Sequence, residues 1–340
     1  MIISAGLLII SYLSIYVNPA RAWFMTIFGL LFYPLLLVNV LLLVWALLRR
    51  SKAVVIPLVA LIPTLLIFGK FFRFSTSRDD TSEGLKIVSY NVGRFALPQG
   101  VTFSSRKECA DSIMAFLRAG DADIICLQEV YVQNKERVLS YLSRQMKGYD
   151  IQYYVNVNKY GSCGNVTLSR YPALSKGHID FEHSSNMALY SDYCIGGDTL
   201  RVYNCHFESY NISLSRLATG LEKDYKKAVK DTEEKMRRSI VRRPRQVEQV
   251  LKDIENCREN VIVTGDFNDT PMSYTYWRLS RKRKDSFKEA GSGAGATFSK
   301  LRPLLRIDYI LFPKSYNALS HKVINKRFSD HYPVEAIIAR

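Results

Sequence analysis

The residues of this sequence that could do chemistry are polar side chains that end short apolar runs. The clearest example is Val261–Asp269, in which four β-branched residues precede the letters Gly-Asp-Phe-Asn. An apolar run closed by glycine predicts a buried strand ending in a turn. Alternation along an extended chain puts Asp266 and Asn268 on the same side. A carboxylate and an amide held together there could bind a cation or a phosphate, although both are also common turn residues.

Polar residues of similar types accompany five further apolar runs. Each could be an ordinary strand terminus, but six such positions along one chain favour a shared pocket. Oxygen ligands with only one or two required carboxylates suit Mg²⁺, which keeps several waters and binds substrate phosphate. Two histidines can exchange protons near neutral pH. The further positions are Asn91 after Lys86–Tyr90, Glu129 after Ile124–Gln128, His206 after Arg201–Cys205, Asp308 within Arg306–Ile310, and Asp330 and His331 before Tyr332–Val334.

The elements that must position these residues alternate between strand-like runs and amphipathic helical runs. This alternation over about 255 residues predicts one α/β domain with a sizeable core. The predicted helices are Arg106–Ala119, Val138–Met146 and Val247–Asn256. Besides the strand that leads into Asp266, the predicted strands are Leu85–Tyr90, Ile124–Leu127, Ile151–Val157, Asn165–Leu168, Leu200–Cys205, Ile307–Phe312 and Val334–Ala339.

The N-terminal part of the chain differs in composition, because its first 73 residues are mostly apolar and contain no acid. About 20 apolar residues cross a bilayer, so three closely spaced apolar runs predict three membrane spans. A cleaved signal peptide is the alternative for Met1–Ala22, but this stretch lacks a basic start and more membrane sequence follows it. The predicted spans are Met1–Val17, Trp23–Leu48 and Ala53–Phe68.

The basic loop Arg49–Lys52 predicts the orientation of these spans. The positive-inside rule puts this loop in the cytoplasm, and three spans then put the rest of the chain on the non-cytoplasmic side. Lys70, Arg73 and Arg78 favour the opposite orientation. The sequence therefore predicts a multi-pass membrane protein with three parts: a transmembrane segment at 1–73, a linker at 74–84 and a domain at 85–340.

Charge and cysteine content narrow the classes of partner and site. Of the formal net charge of +16, residues 1–73 contribute six, so most of the surplus belongs to the rest of the chain. This surplus favours phosphate-bearing partners, whether nucleic acid, phosphorylated small molecules or anionic lipid. No CxxC pair occurs among the six cysteines, which argues against a zinc ribbon or a thioredoxin-like motif. Cys126 and Cys205 lie in strand-like runs and are predicted to be buried thiols.

The order of the strand-end residues resembles that of the endonuclease/exonuclease/phosphatase superfamily, which has the fold of deoxyribonuclease I. Gly265–Asn268 is fairly specific by itself, and the ordered set is strongly so. The resemblance covers Leu85–Arg340 and leaves the apolar N-terminal part outside. The matching motifs are Ser89–Val92, Leu127–Val130, Ser169–Pro172, Asn204–His206, Gly265–Asn268, Arg306–Ile310 and Ser329–Pro333.

The resemblance implies a fold, a reaction and a metal site. The fold is a four-layer α/β sandwich, two packed mixed β-sheets flanked by helices, preceded here by the N-terminal transmembrane helical segment. The reaction is cleavage of a phosphate ester by water with Mg²⁺ or Mn²⁺, at one edge of the sheets. Carried over by motif, Glu129 is the main metal ligand, Asn91 supports the metal or the phosphate, and Asp330 is similar to a second metal-site carboxylate.

The remaining matched residues have implied catalytic roles. His331 looks like the base that activates water, and Asp308 would orient it. His206 looks like a phosphate donor or the acid that protonates the leaving group. Asp266 and Asn268 would position water and stabilise the transition state. These roles make physical sense, because a metal and cationic donors offset charge where it grows during phosphate transfer.

The leading hypothesis is a membrane-anchored, divalent-metal-dependent phosphoesterase acting on phosphodiesters or phosphomonoesters. Its partners are predicted to be the membrane and either nucleic acid or phospholipid and inositol-phosphate headgroups, and no obligate protein partner is indicated. Tyr274–Arg278 and Arg281–Lys284 suit nucleic acid, or a helix with an aromatic face packed inward. Glu222–Arg245, with ten basic and five acidic residues, suits a solvated helix or a basic arm facing lipid or substrate. A non-catalytic binding protein is less favoured, since the matched residues are all present.

Overall fold

The computed structural model describes residues 1–74, 83–96, 105–132, 134–158, 161–210, 225–301 and 303–340. Most of the predicted linker, residues 75–82, and the first three residues of the charged segment lie outside this description. The described chain forms two compact units, and the division predicted from the sequence stays a prediction. The smaller unit consists of Met1–Phe68, Glu208–Gln249 and Asn268–Arg278, and the larger of Gly69–Phe207, Val250–Phe267 and Leu279–Arg340.

The strands of the described chain lie in the larger unit. Most of those that match predicted strands extend one to five residues further at one or both ends, whereas β14 has its predicted bounds and β12 is shifted by one residue. The strands are β1 (Arg73–Phe74), β2 (Leu85–Asn91), β3 (Ile124–Val132), β4 (Asp150–Asn158), β5 (Gly161–Ser169), β6 (Ala173–Asp180), β7 (Met187–Ile195), β8 (Asp198–His206), β9 (Asn260–Asp266), β10 (Arg283–Asp285), β11 (Ser292–Gly293), β12 (Asp308–Pro313), β13 (Asn317–Val323) and β14 (Val334–Ala339).

Two six-stranded mixed sheets organise the larger unit. The first has the order β13-β14-β2-β3-β5-β4, and the second has the order β10-β12-β9-β8-β7-β6. Each sheet has one parallel pair at its centre, β2 with β3 and β8 with β9, and antiparallel neighbours elsewhere. Because parallel strands end at the same edge, each sheet brings two adjacent strand ends to one place.

Helices account for the rest of the regular structure. α7 begins well before the predicted helix Val247–Asn256, so most of the charged segment is helical too. The helices are α1 (Ile2–Ser14), α2 (Met25–Leu30), α3 (Phe32–Leu48), α4 (Val55–Ile67), α5 (Arg106–Gly120), α6 (Lys135–Gln145), α7 (Tyr225–Glu255), α8 (Tyr274–Ser280) and α9 (Ser286–Ala290).

Apolar side chains on both faces of the first sheet explain why the layers form. On one face, Ile87 and Cys126 pack in a fully buried cluster with Val202, Ile262 and Ile310 from the second sheet. On the other face, the first sheet packs against α5 and α6. The predicted α/β fold of two packed mixed sheets flanked by helices is therefore confirmed. Cys126 and Cys205 are buried free thiols, as predicted.

Six of the described strands were not predicted, namely β1, β6, β7, β10, β11 and β13, and β7 shows one reason. Its residues Ser191 and Asp192 are buried, and polar residues in mid-strand obscure the apolar pattern. Each finds a partner distant in sequence: Ser191 is hydrogen-bonded to Gln152, and Arg201 donates two hydrogen bonds to the Asp192 carboxylate at 2.6 and 2.7 Å. Such partners remove the cost of burying a polar group, and they are not visible in a local pattern.

The smaller unit contains the apolar N-terminal helices and differs from the three spans predicted. The predicted span Trp23–Leu48 is interrupted at Leu31, which separates α2 from the 17-residue α3. The first apolar helix, α1, has 13 residues. Within the described residues, only the helical stretch Lys52–Lys70 is long and apolar enough to cross a membrane. The structure therefore supports one candidate span.

Candidate active site

The two parallel strand pairs hold the predicted site residues at their ends. Asn91 ends β2 and is paired in register with Gln128 of β3, next to Glu129. His206 ends β8 and is paired in register with Asp266, which ends β9. Asp308 begins β12 directly opposite Asp266, because this pair of strands is antiparallel. Chain direction thus places Asn91, His206, Asp266 and Asp308 at strand ends, with Glu129 beside Asn91 within β3.

The amide of Asn91 links side chains from both sheets. Its Nδ2 donates a hydrogen bond to Asp266 Oδ2 at 2.8 Å and lies 3.3 Å from Glu129 Oε1. The Nε2 atom of His206 lies 3.6 Å from Glu129 Oε1 and 3.9 Å from Asp266 Oδ2. Asp266, Asn91 and His206 are buried. The first and second sheets therefore contribute to one polar cluster.

His331 and Asp308 form a buried pair beside this cluster. His331 Nδ1 lies 3.0 Å from Asp308 Oδ2, and its Nε2 lies 3.7 Å from Asp266 Oδ2. Burial alone would lower the pKa of His331, but the charges of Asp308 and Asp266 outweigh it and raise that pKa to about 10. Burial raises the pKa of Asp266 to about 6, with Asp308 adding to the rise and the two histidines opposing it. The surrounding carboxylates therefore favour the protonated form of His331.

Backbone strain marks the position of Glu129. Strand β3 does not end before this residue, as the sequence predicts, but continues through a β-bulge between Leu127 and Val130. Glu129 has a φ of +54°, which is uncommon for a residue with a side chain. Its Oε2 lies 3.2 Å from Nε of the exposed Arg94. Bulges and positive φ values in non-glycine residues recur next to functional sites, where they aim a side chain.

The structure brings most, but not all, predicted site residues together. Asn91, Glu129, His206, Asp266, Asp308 and His331 are connected by the distances above. Asp330 instead forms an ion pair with Lys300 at 3.1 Å. Asn268 follows β9 with a φ of +51° and belongs to the smaller unit, whereas the other site residues belong to the larger.

A buried amide network behind the strand ends was not identified as functional from the sequence. Gln128 Nε2 donates to Asn204 Oδ1 at 2.8 Å, and Asn204 Nδ2 donates to the carbonyl oxygen of Val166 at 2.9 Å. Asn165 Nδ2 donates to the carbonyl oxygen of Asn204 at 3.1 Å. These bonds connect the two sheets directly behind Glu129 and His206. The only sequence signal for them is the presence of amides inside two of the matched motifs.

A second unpredicted feature is a buried arginine in the charged segment. Arg243 is 1% exposed, forms an ion pair with Asp269 Oδ2 at 2.9 Å, and donates from Nε to the carbonyl oxygen of Glu208 at 2.7 Å. Tyr210 lies against the Arg243 guanidinium and donates from its hydroxyl to Asp269 Oδ1 at 3.1 Å. A solvated helix does not describe this part of α7. Arg243 therefore connects Asp269 with Glu208.

The aromatic run Tyr274–Arg278 is held by contacts within the smaller unit. Tyr276 is 1% exposed, and Arg278 is paired with Glu248 through two hydrogen bonds of 2.7 and 2.6 Å. The ring of Trp277 packs edge-on against Tyr16 at 5.3 Å between centroids. This arrangement agrees with a helix whose aromatic residues pack inward.

The donor groups of the cluster fit a hard divalent cation. The carboxylates of Glu129 and Asp266 both approach His206 Nε2, a buried atom with no hydrogen-bond partner among the described residues. Asp266, Asp308 and His331 also offer three ligand atoms within 4.8 Å of one another. His331 Nδ1 faces Asp308, and Glu129, whose side chain is 25% exposed, is the more accessible carboxylate of the cluster. Oxygen donors of this kind suit Mg²⁺ or Mn²⁺.

Comparisons with protein families cover most of the chain. Residues 88–331 match the model of the Endonuclease/Exonuclease/phosphatase family. Residues 1–71 match a second model, described as Domain of unknown function (DUF8431). No curated protein matches the chain.

Solved structures share the fold at low sequence identity. An endonuclease/exonuclease/phosphatase from Bacteroides vulgatus is 17% identical with a TM-score of 0.56, covering 76% of this chain and 99% of that one. A mannosyl-6-phosphatase from Bacteroides thetaiotaomicron is 16% identical with a TM-score of 0.51, covering 75% and 100%. The human nocturnin catalytic domain with bound sulfate is 16% identical with a TM-score of 0.53, covering 75% and 94%.

Proposed function

The chain belongs to the endonuclease/exonuclease/phosphatase family, and from this premise we propose that it is a divalent-metal-dependent phosphoesterase. The observation that carries the proposal is the convergence of Glu129 and His206 with the Asp308–His331 pair around Asp266. Family membership supports a hydrolase acting on phosphate esters. The buried charges support a site built to receive an anion together with a cation.

We propose that Glu129 and Asn91 hold the cation. Asp330, which is paired with Lys300 at 3.1 Å, is proposed as the carboxylate of a second metal position. A bound divalent cation supplies positive charge that offsets the phosphate and lowers the pKa of a nearby imidazole. His331 can then accept a proton from water, and Asp308 fixes its orientation through the 3.0 Å contact. Without that positive charge His331 stays protonated, which makes its basicity dependent on the loaded site.

The remaining residues are proposed to handle the phosphate. His206 Nε2 has no hydrogen-bond partner among the described residues and can donate a hydrogen bond to a phosphate oxygen or to the leaving group. Asp266, placed between both histidines, orients them and the attacking water. Asn268 is proposed to donate to the phosphate through its amide. Donors held in place before the reaction stabilise charge where it develops.

Two observations bear on the substrate class, and they favour different phosphate esters. The mannosyl-6-phosphatase among the structural relatives acts, by its name, on a phosphomonoester. The apolar residues 1–73 favour a membrane-linked phosphodiester, because attachment raises the local concentration of headgroups. We therefore propose phosphate esters at a membrane as substrates, with soluble phosphomonoesters as the second candidate and nucleic acid as the third.

The test uses the purified full chain in neutral detergent. The substrates are an aryl phosphodiester, an aryl phosphomonoester, sphingomyelin, phosphoinositides and plasmid DNA, each with Mg²⁺, Mn²⁺ or EDTA. We expect hydrolysis of at least one ester that EDTA stops and that His331→Ala removes, while the matched control His178→Ala in β6 keeps it. Hydrolysis that persists in EDTA, or the absence of turnover on every substrate, would contradict the proposal.

Membrane attachment is a separate proposal supported by the candidate span Lys52–Lys70. We propose that this span crosses the membrane and that residues 85–340 lie on the non-cytoplasmic side, because the basic loop Arg49–Lys52 precedes the span. Alkaline phosphatase or a green fluorescent protein fused after Arg340 distinguishes the two sides. Phosphatase activity is expected, and fluorescence without phosphatase activity would overturn the proposed side.

A further inference from the structure

The smaller unit exposes wide apolar faces on two of its helices. On α3, Leu37, Leu41, Trp45 and Leu48 are 54–79% exposed, and their spacing of four, four and three residues puts them on one side. On α4, apolar residues are equally exposed, with Leu66 at 87%. Faces of this size are unfavourable in water and suit a lipid phase.

The loop that joins α1 to α2 connects this apolar unit to α7. The Arg237 guanidinium of α7 lies over the ring of Trp23, 5.8 Å from its centre. On the same loop, Tyr16 packs against Trp277, and Asn18 Nδ2 lies 3.4 Å from the Tyr274 hydroxyl. Trp and Tyr rings with neighbouring basic residues are typical of the level at which a membrane meets water. Arg237 therefore lies next to the residues best suited to that level.

Helix α7 carries further exposed basic residues on the N-terminal side of Arg237. Lys226, Lys230 and Arg237 are exposed, and their separations of four and seven residues place them on the same side of the helix. Glu233 is the acid on that side. Ile240 and Val247, which lie nearer the C-terminal end of α7, are buried. The exposed first half of the helix thus carries a basic side, and its Arg237 lies next to Trp23.

We propose that the face formed by Lys226, Lys230 and Arg237 binds anionic phospholipid headgroups of the bilayer that holds residues 1–73. This inference rests on the proposed membrane attachment and not on the proposed hydrolysis. Nucleic acid is the other polyanion that such a face could bind. The Trp23–Arg237 contact favours lipid, because it ties the basic side to the unit with the exposed apolar faces. Basic residues beside a bilayer are attracted to anionic lipids over about one Debye length.

The test measures lipid preference with the full chain in neutral detergent micelles. Phosphatidylglycerol or phosphatidylcholine with a dansyl group on the acyl chain is added, and energy transfer from tryptophan reports binding. The variant is Lys226→Gln with Lys230→Gln and Arg237→Gln, which preserves helix propensity. The matched control removes three exposed charges from the larger unit: Lys147→Gln, Lys314→Gln and Lys326→Gln. Far-UV circular dichroism checks the fold of both, and the readout does not depend on hydrolysis.

We expect the wild type and the control to prefer phosphatidylglycerol and the α7 variant to lose roughly fivefold in affinity for each charge removed. High salt should abolish the difference between variant and control. Equal affinity of the wild type for both lipids, or an equal loss in the control, would overturn the proposal. Tighter binding of an oligonucleotide than of phosphatidylglycerol, lost in the same variant, would assign the face to nucleic acid instead.

Discussion

The two sheets have the same strand arrangement but contribute different chemistry to the site. Each has a central parallel pair that ends at the same edge. The first sheet contributes Asn91 and the strained Glu129, whose side chain is 25% exposed and lies beside Arg94. The second contributes His206, Asp266 and Asp308, and the Asp266 side chain is 1% exposed. We propose that the accessible edge at Glu129 holds the cation, while the buried carboxylates Asp266 and Asp308 raise the pKa of His331.

The largest expected effect comes from removing His331, whose pKa is raised by the buried carboxylates Asp308 and Asp266. We expect His331→Ala to lower kcat for phosphodiester hydrolysis on the order of 10³-fold or more, because proton transfer and charge stabilisation are lost together. Steady-state kinetics at saturating Mg²⁺ measure this effect. His178→Ala is the control, and a variant of His331 that retains near-wild-type turnover would separate the buried edge from the chemistry.

A second buried histidine tests the opposite case, in which burial outweighs the effect of a nearby carboxylate. His321 of β13 faces Ser286 at 2.8 Å, and burial, assisted by Arg306 and opposed by Asp285, lowers its pKa to about 4. The unfolded chain takes up a proton below about pH 6.5 but the folded chain does not, so stability is full above pH 6.5 and falls toward pH 4. The expected loss is on the order of 3 kcal/mol.

Urea denaturation of the full chain at several pH values checks the His321 effect. His321→Asn should flatten the pH dependence between about pH 6.5 and 4, since asparagine does not titrate there. A slope in this variant equal to that of the wild type would assign the acid sensitivity to other groups.

The accessible edge is tested through its response to metal concentration. We expect Glu129→Gln to raise the Mg²⁺ concentration for half-maximal activity roughly tenfold to a hundredfold, because a neutral amide is a weaker ligand for a hard cation. Activity is titrated with Mg²⁺ against Glu182→Gln, an exposed glutamate outside the site. An unchanged Mg²⁺ requirement would place the cation on the buried edge, with Asp266, Asp308 and His331.

The smallest expected effect concerns the contribution of Asp308 to the pKa of His331. Asp308→Asn removes a charge that raises the pKa of His331, so this pKa should fall by about one unit or more in the metal-free protein. Histidine NMR titration measures it directly. The sign for stability follows: the contribution of a raised pKa is complete below about pH 6.5 and is lost as the pH rises toward 10. An unchanged His331 titration would show that Asp266 alone sets the charge.

The sequence predicted those site residues whose positions depend on the local pattern of apolar and polar residues. Apolar runs that end in Asn91, His206 and Asp266 became strands with these residues at their ends. The residue types also indicated a hard cation that binds phosphate, and the family resemblance implied cleavage of a phosphate ester. The β-bulge at Glu129 was not predictable, because it depends on pairing between β3 and β5 rather than on the letters around it.

The helices of the N-terminal part could not be predicted from composition alone. The apolar content of residues 1–73 predicted contact with lipid, but composition does not specify helix ends. The interruption at Leu31 left only one helix of spanning length among the described residues. Similarly, charge content predicted a solvated helix for residues that include the buried Arg243.

The sequence by itself determined the alternation of strands and helices, the order of the polar strand ends and the basic character of α7. These properties are local or cumulative, and each can be judged within a few residues or over the whole composition. Only the tertiary structure decided that carboxylates surround His331 and raise its pKa, that β7 accommodates Ser191 and Asp192, and that Arg243 is buried. Those outcomes depend on partners far apart in the chain, such as Asp308, Gln152 and Asp269, whose electrostatic and hydrogen-bond energies exist only after folding brings them together.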